Sequence, residues 1–360
     1  MSVDPRGQIE QFGQTTDEVF RVDESEIDWG IAIAGMLAVA LPLFVGLAVG
    51  KPTLGLLAAL GGLNVALVMP GREVSDRWPW GLLCLVGSVV AIALADITQP
   101  SIAASVVTTF AWTGAWSTLR VAGKHGALAA FALGAVFIVT NGLPAQALGP
   151  AVAAVAVGGA VGLFWMLIAG GGPAPKGGET TWPGVRVTLA TARSRLQLSP
   201  VLRHHALRIA LATSASVLAY RLVDLSFGYW VTLTILAILQ PDPHASRIRS
   251  IQRSTGSFIG ITVAAVFIYL TGDAWVLAAA ASLAALALFA MRERSYHWFV
   301  MLITPTALLM ISSVFYSGLE LAGYRVLNTV LGILIALAAS WLLWGNDEIG
   351  EPPPPPLAPS

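Results

Sequence analysis

Residues 238–260 read ILQPDPHASRIRSIQRSTGSFIG. An apolar run stops at Gln240-Pro241, three arginines follow (Arg247, Arg249 and Arg253), and the chain turns apolar again at Gly256-x-x-x-Gly260. Read as a connector, the tract ends one membrane helix and starts the next, and its arginines mark one side of a bilayer.

The rest of the chain supports that reading. Of 360 residues, 56% are hydrophobic and only 11% charged, and the mean hydropathy is +0.74. Soluble domains carry about 25% charged residues, so these charges are too few to cover a water-facing surface. The composition predicts an all-α, multi-pass membrane protein whose constant partner is the lipid bilayer. A formal net charge of zero leaves no electrostatic case for a nucleic-acid partner. The lone Cys84 excludes an internal disulfide. Residues 1–28 are rich in acids, with Arg6 and Arg21 as the only bases. They lack the basic start of a secretory signal, so insertion is expected through the first membrane helix.

A bilayer core about 30 Å thick takes about 20 apolar residues of helix. Charged and Pro/Gly breaks leave twelve candidate spans. The first six are 29–49, 53–69, 80–97, 101–119, 126–143 and 151–170. The second six are 207–223, 227–241, 254–272, 275–291, 296–315 and 324–345. This predicts an acidic cytoplasmic segment (1–28), a first six-helix half (29–170), a cytoplasmic linker (171–206), a second half (207–345) and a disordered Pro-rich tail (346–360). Within the linker, Thr188–Leu198 reads as a short amphipathic surface helix.

Placing both termini in the cytoplasm puts every Lys and Arg on that side except Lys51, Arg221 and Arg325, the bias that orients membrane proteins. The charges near membrane depth (Asp96, Arg221, Asp224, Asp273, Glu320 and Arg325) are all expected at outer helix ends, facing water. Trp29, Trp80, Trp230, Trp275, Trp298 and Trp344 are expected as interfacial anchors.

The opening feature has a faint echo. At 64–81 the chain reads NVALVMPGREVSDRWPWG, in which Met69-Pro70 ends an apolar run and Arg72 and Arg77 precede the next. Aligning Pro70 with Pro241 gives an offset of 171 residues, and aligning Thr140-Asn141 with Thr304-Pro305 gives 164. Six helices per half predicts two parallel repeats related by an axis along the membrane normal. The second and eighth helices are the shortest of their halves. Residues 227–241 cover only about 22 Å, and short helices at matching places in two halves point to a transport path. The simpler reading of Pro241, and the favoured one, is the proline expected just past an ordinary helix end.

No cluster of nucleophiles, acids or metal ligands suggests an enzyme. His125, His204, His205, His244 and His297 show no metal spacing, and no phosphate-cradling loop occurs, so no cofactor is expected. Asn64, Thr140, Asn141, Thr232, Thr234, Thr304 and Asn328 lie deeper than the charges. They are able to hold an anionic solute, although interhelical hydrogen bonding is the preferred account for any single one of them. Gly256 and Gly260 predict close helix packing inside the fold ahead of dimerisation, and a homo-oligomer stays open. Arg253, just before them, is placed to meet a lipid phosphate, a helix end or an anionic solute.

Gly228-Tyr229-Trp230-Val231-Thr232-Leu233-Thr234, then Leu239-Gln240-Pro241, then Arg253-x-x-Gly256-x-x-x-Gly260 resembles the signature of the fusaric-acid-resistance-like (FUSC) proteins. The tract Tyr296–Leu309, with Ile303-Thr304-Pro305, is similar to a later helix of that family. The resemblance spans roughly 200–345 and is much weaker over 29–170, where no Tyr-Trp pair precedes Met69-Pro70-Gly71. It implies export of small organic, often aromatic, carboxylates across a bacterial cytoplasmic membrane, driven by the proton gradient. An anion channel, as in the related plant malate transporters, is the alternative, and a non-transporting scaffold is a further one. In this reading Tyr229 and Trp230 line or anchor the eighth helix, Gln240 and Pro241 shape its inner end, and Arg253 attracts anions. Thr304 and Pro305 supply a polar break in the eleventh helix, and Asn64 and Asn141 add polar groups to the path.

Overall fold

Every regular element among the described residues is helical. The computed structural model describes residues 26–69, 77–143, 147–170, 200–241, 243–292, 294–315 and 319–342. Pro70, Arg72, the surface helix expected at 188–198, Trp344 and the tail 346–360 lie outside them. Twelve α-helices occur there: α1 (Trp29–Ala48), α2 (Pro52–Val68), α3 (Arg77–Thr98), α4 (Ile102–Ser117), α5 (Gly123–Gly142), α6 (Leu148–Ala169), α7 (Pro200–Leu222), α8 (Tyr229–Ile238), α9 (Pro243–Leu270), α10 (Ala274–Met291), α11 (Tyr296–Ser312) and α12 (Glu320–Leu342). A 3-10 turn, Thr118–Ala122, joins α4 to α5. Six helices (α1, α3, α6, α9, α10 and α12) are long and apolar enough to cross a membrane.

The starts follow local chemistry. Asp28 accepts from the Ile31 amide at 3.1 Å, Ser101 from Ala104 at 3.2 Å and Asp273 from Trp275 at 2.9 Å, each satisfying an amide the helix leaves bare. Pro52 and Pro243 open α2 and α9, where a missing N–H costs nothing.

The opening tract is corrected here. The connector expected over 242–253 is helix, because α9 starts at Pro243 and runs 28 residues. Arg247, Arg249 and Arg253 therefore ride on its first turns. In turn α8 shrinks to ten residues, about 15 Å at 1.5 Å per residue. Helix α7 likewise begins at Pro200, ahead of the apolar run that opens at 207, so His204 and His205 are helical.

Burial sorts the helices. All ten residues of α8 are buried, and α2 is buried from Gly55 to Val68 except Leu60. The outer faces instead expose large apolar side chains such as Val45, Val107, Val157, Phe164, Leu283 and Leu334, a surface made for lipid. Trp29, Trp275 and Trp298 are exposed, whereas Trp80 and Trp230 are 0% and 5% exposed and pack in the interior, so neither is the interfacial anchor expected of it. Around α2 stand α1, α3 and α6, and around α8 stand α7, α9 and α12. Helix α3 also meets α5, and α9 meets α11. Three seams join these groups: α1 against α10, α4 against α7, and α5 against α8.

Candidate functional site

The short helices enclose a cavity of about 100 Å³. Its walls come from α2 (Leu57, Leu60, Asn64), α5 (Phe131, Thr140), α8 (Trp230, Leu233) and α11 (Ile303, Thr304). Two guanidiniums complete it, Arg253 from α9 and Arg325 from α12. No carboxylate is among its lining residues.

Arg325 is the larger surprise. Expected at an outer, water-facing edge, it is only 2% exposed. It belongs to the buried stripe Leu321, Ala322, Arg325, Asn328, Thr329, Gly332 and Ala336, which has the spacing of one helix face. Its Cζ lies 3.8 Å from the centroid of the Trp230 ring, a cation–π geometry. Its Nε and Nη1 have no acceptor, and neither does Nε of Arg253, which is 4% exposed. Guanidiniums do not surrender their proton, and a buried charge without a counter-ion is costly. The cavity is thus a small, largely apolar chamber whose lining includes two buried arginines, a residue type whose planar fork matches carboxylate geometry.

The structure distributes the other expected residues as follows. Trp230, Arg253, Thr304 and Asn64 line the chamber. Tyr229 is 1% exposed and packs its ring over Gly142 of α5. The Thr304 hydroxyl donates to the Val300 carbonyl at 2.9 Å. Pro305 packs against Gly260, where an added Cβ would stand 2.6 Å from the Met301 oxygen. At Gly256 it would stand 3.1 Å from the His297 oxygen, so both glycines serve α9–α11 packing. Asn141 lies off the chamber and ties α5 to α3 by donating to the Ala95 carbonyl at 3.3 Å. Asn328 donates to the Ser226 and Phe227 carbonyls at 3.1 and 3.0 Å. It pins the turn before α8, in which Phe227 holds a left-handed φ of 56°, an unusual conformation for a side-chain-bearing residue.

Sequence reading singled out Gln240 and Pro241 after α8 but missed the arginines that meet the C-terminal ends of α2 and α8. There Arg120 donates to the Gln240 Oε1 at 2.9 Å, and Arg208 donates to the Pro241 carbonyl at 3.1 Å. Arg292 donates to the Ala66 carbonyl at 2.7 Å. Cations suit the negative end of a helix. At the opposite end, a second cavity of about 20 Å³ shares Leu56, Leu57, Ile92, Thr140 and Leu143 with the chamber and adds Asp96 and Gln99.

Comparison with known proteins agrees with the signature in the second half. Residues 213–339 match the model of the fusaric acid resistance protein-like family. The chain is 28% identical over 173 residues to an uncharacterized protein, ORF2, of Neisseria gonorrhoeae, covering 46% of this chain and 38% of the relative. It is 27% identical over 163 residues to the uncharacterized protein YhfK of Escherichia coli K12 (45% and 23%). It is 29% identical over 149 residues to the inner membrane protein YccS of the same strain (41% and 21%). The matches thus span well under half of those relatives. No solved structure matches the chain. Through the segment that carries α8, Arg253 and Arg325, this membrane protein is similar to the fusaric acid resistance protein-like family.

Proposed function

We propose that the chain is a secondary transporter of a bacterial inner membrane that exports small organic carboxylates, and that the Arg253–Arg325 chamber is its binding site. The observation that carries this is a pair of buried arginines, each with donors that find no acceptor, in a chamber without a carboxylate among its lining residues. Apolar walls with Trp230 and Phe131 suit a flat hydrophobic body, and the arginines suit its charged head. Asp96, the one carboxylate lining either cavity, stands towards the end read as external. It is the acid that coupling to the proton gradient would use.

In this reading all twelve helices cross the bilayer as two parallel repeats, 29–170 and 207–345, with the linker 171–206 and both termini in the cytoplasm. Recurring contacts support the repeat: α2–α6 and α8–α12, α3–α5 and α9–α11, α4–α7 and α10–α1. Arg120 and Arg292 support it too. Each follows the fourth helix of its half and reaches the short helix of the other half. They stand 172 positions apart, against the 171 that separate Pro70 from Pro241.

The test is efflux of labelled benzoate from vesicles holding the full chain, with and without a pH gradient. Wild type should export, a protonophore should slow it, and Arg325→Gln should export at least about tenfold less at equal protein, as loss of a charged hydrogen bond implies. Benzoate currents indifferent to the protonophore would make the protein a channel. Absence of flux from wild-type vesicles would overturn transport altogether.

A further inference from the structure

A second set of cations sits at the inner end of α8, one step from the chamber. Arg120 meets Gln240, and Arg208, 4% exposed, meets the Pro241 carbonyl. Arg249 of α9 lays its Cζ 3.5 Å from the centroid of the Tyr296 ring. Each keeps buried donors without an acceptor: Nε of Arg120, Nε and Nη1 of Arg208, and Nη1 of Arg249. The charged and titratable groups acting on Arg120 are Arg249 and Tyr296, and those acting on buried His205 are Arg120 and Arg208. No carboxylate of the described residues is among them. Burial pushes the Arg120 guanidinium down to about 10, with Arg249 adding to the effect, so it still carries its charge at neutral pH. Three guanidiniums converging with spare donors describe a place for an oxyanion.

Tyr296 links this cluster to Arg253. Its hydroxyl faces the Ala237 carbonyl of α8 at 3.5 Å, its ring stacks on Phe299, and Arg249 covers the ring. Arg253, one helical turn after Arg249 on α9, is within electrostatic reach of the Tyr296 hydroxyl. Helix α9 therefore carries two arginines that act on one tyrosine.

We infer that Arg120, Arg208 and Arg249 form a second carboxylate-binding subsite, which receives the anion before Arg253 and Arg325 take it over. The inference rests on the transport reading for its choice of ligand and for the order in which the two sites are filled. Successive sites of like charge let an anion enter without the first contact holding it too tightly to leave.

The experiment is equilibrium binding of radiolabelled benzoate to the purified full-length protein in detergent, with thermal melting of each variant as the folding control. Wild type should bind two benzoates per chain. Arg249→Gln and, independently, Arg120→Gln should each leave one, weakening the inner subsite at least about tenfold. Arg249→Lys should restore much of it, and Arg325→Gln should remove only the other. If wild type binds one benzoate that is lost in Arg325→Gln and kept in both inner variants, the second subsite is overturned while the chamber stands. One benzoate lost in the inner variants and kept in Arg325→Gln would uphold the subsite and remove the chamber as a binding site. No binding to folded wild type would overturn both.

Discussion

Arg325 of α12 covers the Trp230 ring of α8, its Cζ 3.8 Å from the ring centroid. Both side chains are buried, so the indole face is the nearest thing to a counter-charge that Arg325 has among the described residues. Trp230→Ala removes a buried aromatic and the cation–π partner together. It should destabilise the protein by about 3–5 kcal/mol and lower benzoate affinity. Trp230→Phe keeps a weaker ring face and should cost about 1 kcal/mol. Thermal unfolding in detergent, alongside benzoate binding, checks both; equal losses in the two variants would show that the ring face is irrelevant.

The C-terminal ends of α2 and α8 are held by arginines distant in sequence. Arg292 donates to the Ala66 carbonyl and, at 3.4 Å, to Leu67. Removing it in Arg292→Gln leaves carbonyls of a helix end bare in a buried place. The expected cost is about 1.5–3 kcal/mol, the range for hydrogen bonds to charged groups. Hydrogen exchange should locate the damage: the amides of Val68 and Met69, at the end of α2, should open faster while the middle of α6 is unchanged. Uniform acceleration along the whole chain would contradict a local cap.

Much of this architecture was legible from apolar runs, because a helix in lipid must be long and uncharged. Each of the twelve runs holds one helix. What misled was charge. The tract 243–253 looked like a connector because it carries arginines between prolines and polar residues. Yet Pro243 is a helix opener, and Ser246, Ile248, Ser250, Gln252 and Arg253 are all buried, a pattern that a loop facing water would not need. Arg325 was read by its distance from the helix start alone. Its place on the stripe with Leu321, Asn328, Thr329 and Gly332 was already written in the sequence as a 3–4 spacing. Arg120 left no such signal, since its meeting with Gln240 depends on how two distant helices pack.

Glycines separate packing from mere permissiveness. At Gly260 a Cβ would stand 2.6 Å from the Met301 oxygen and 2.8 Å from Cδ of Pro305, with backbone and a rigid ring unable to give way. Gly260→Ala should therefore force α9 off α11 and cost about 1–3 kcal/mol. Gly323→Ala, in the first turns of α12, meets nothing within 4 Å and should stabilise by up to about 1 kcal/mol through helix propensity. Opposite shifts in melting temperature are the expected result. A neutral Gly260→Ala would mean that the α9–α11 seam is looser than its geometry.

Arg253 and Arg325 give the prediction whose sign is least intuitive. A buried charge that has lost its partner is destabilised, but these two lack any carboxylate partner among the described residues. Replacing either by an apolar residue of similar length removes a desolvation cost without orphaning a counter-ion. Arg325→Met and Arg253→Met should therefore raise the stability of the empty protein by about 1–3 kcal/mol, an order set by buried-ion replacements elsewhere, with Arg325→Met gaining less because it forfeits the contact with Trp230. Both should lose the chamber benzoate and keep the one at the inner subsite. In wild type, saturating benzoate should raise the melting temperature, as any ligand of the folded state does, and the Met variants should show a smaller rise. If the arginines instead served only to hold the fold, the empty Met variants would melt lower than wild type, and benzoate would shift all three proteins alike.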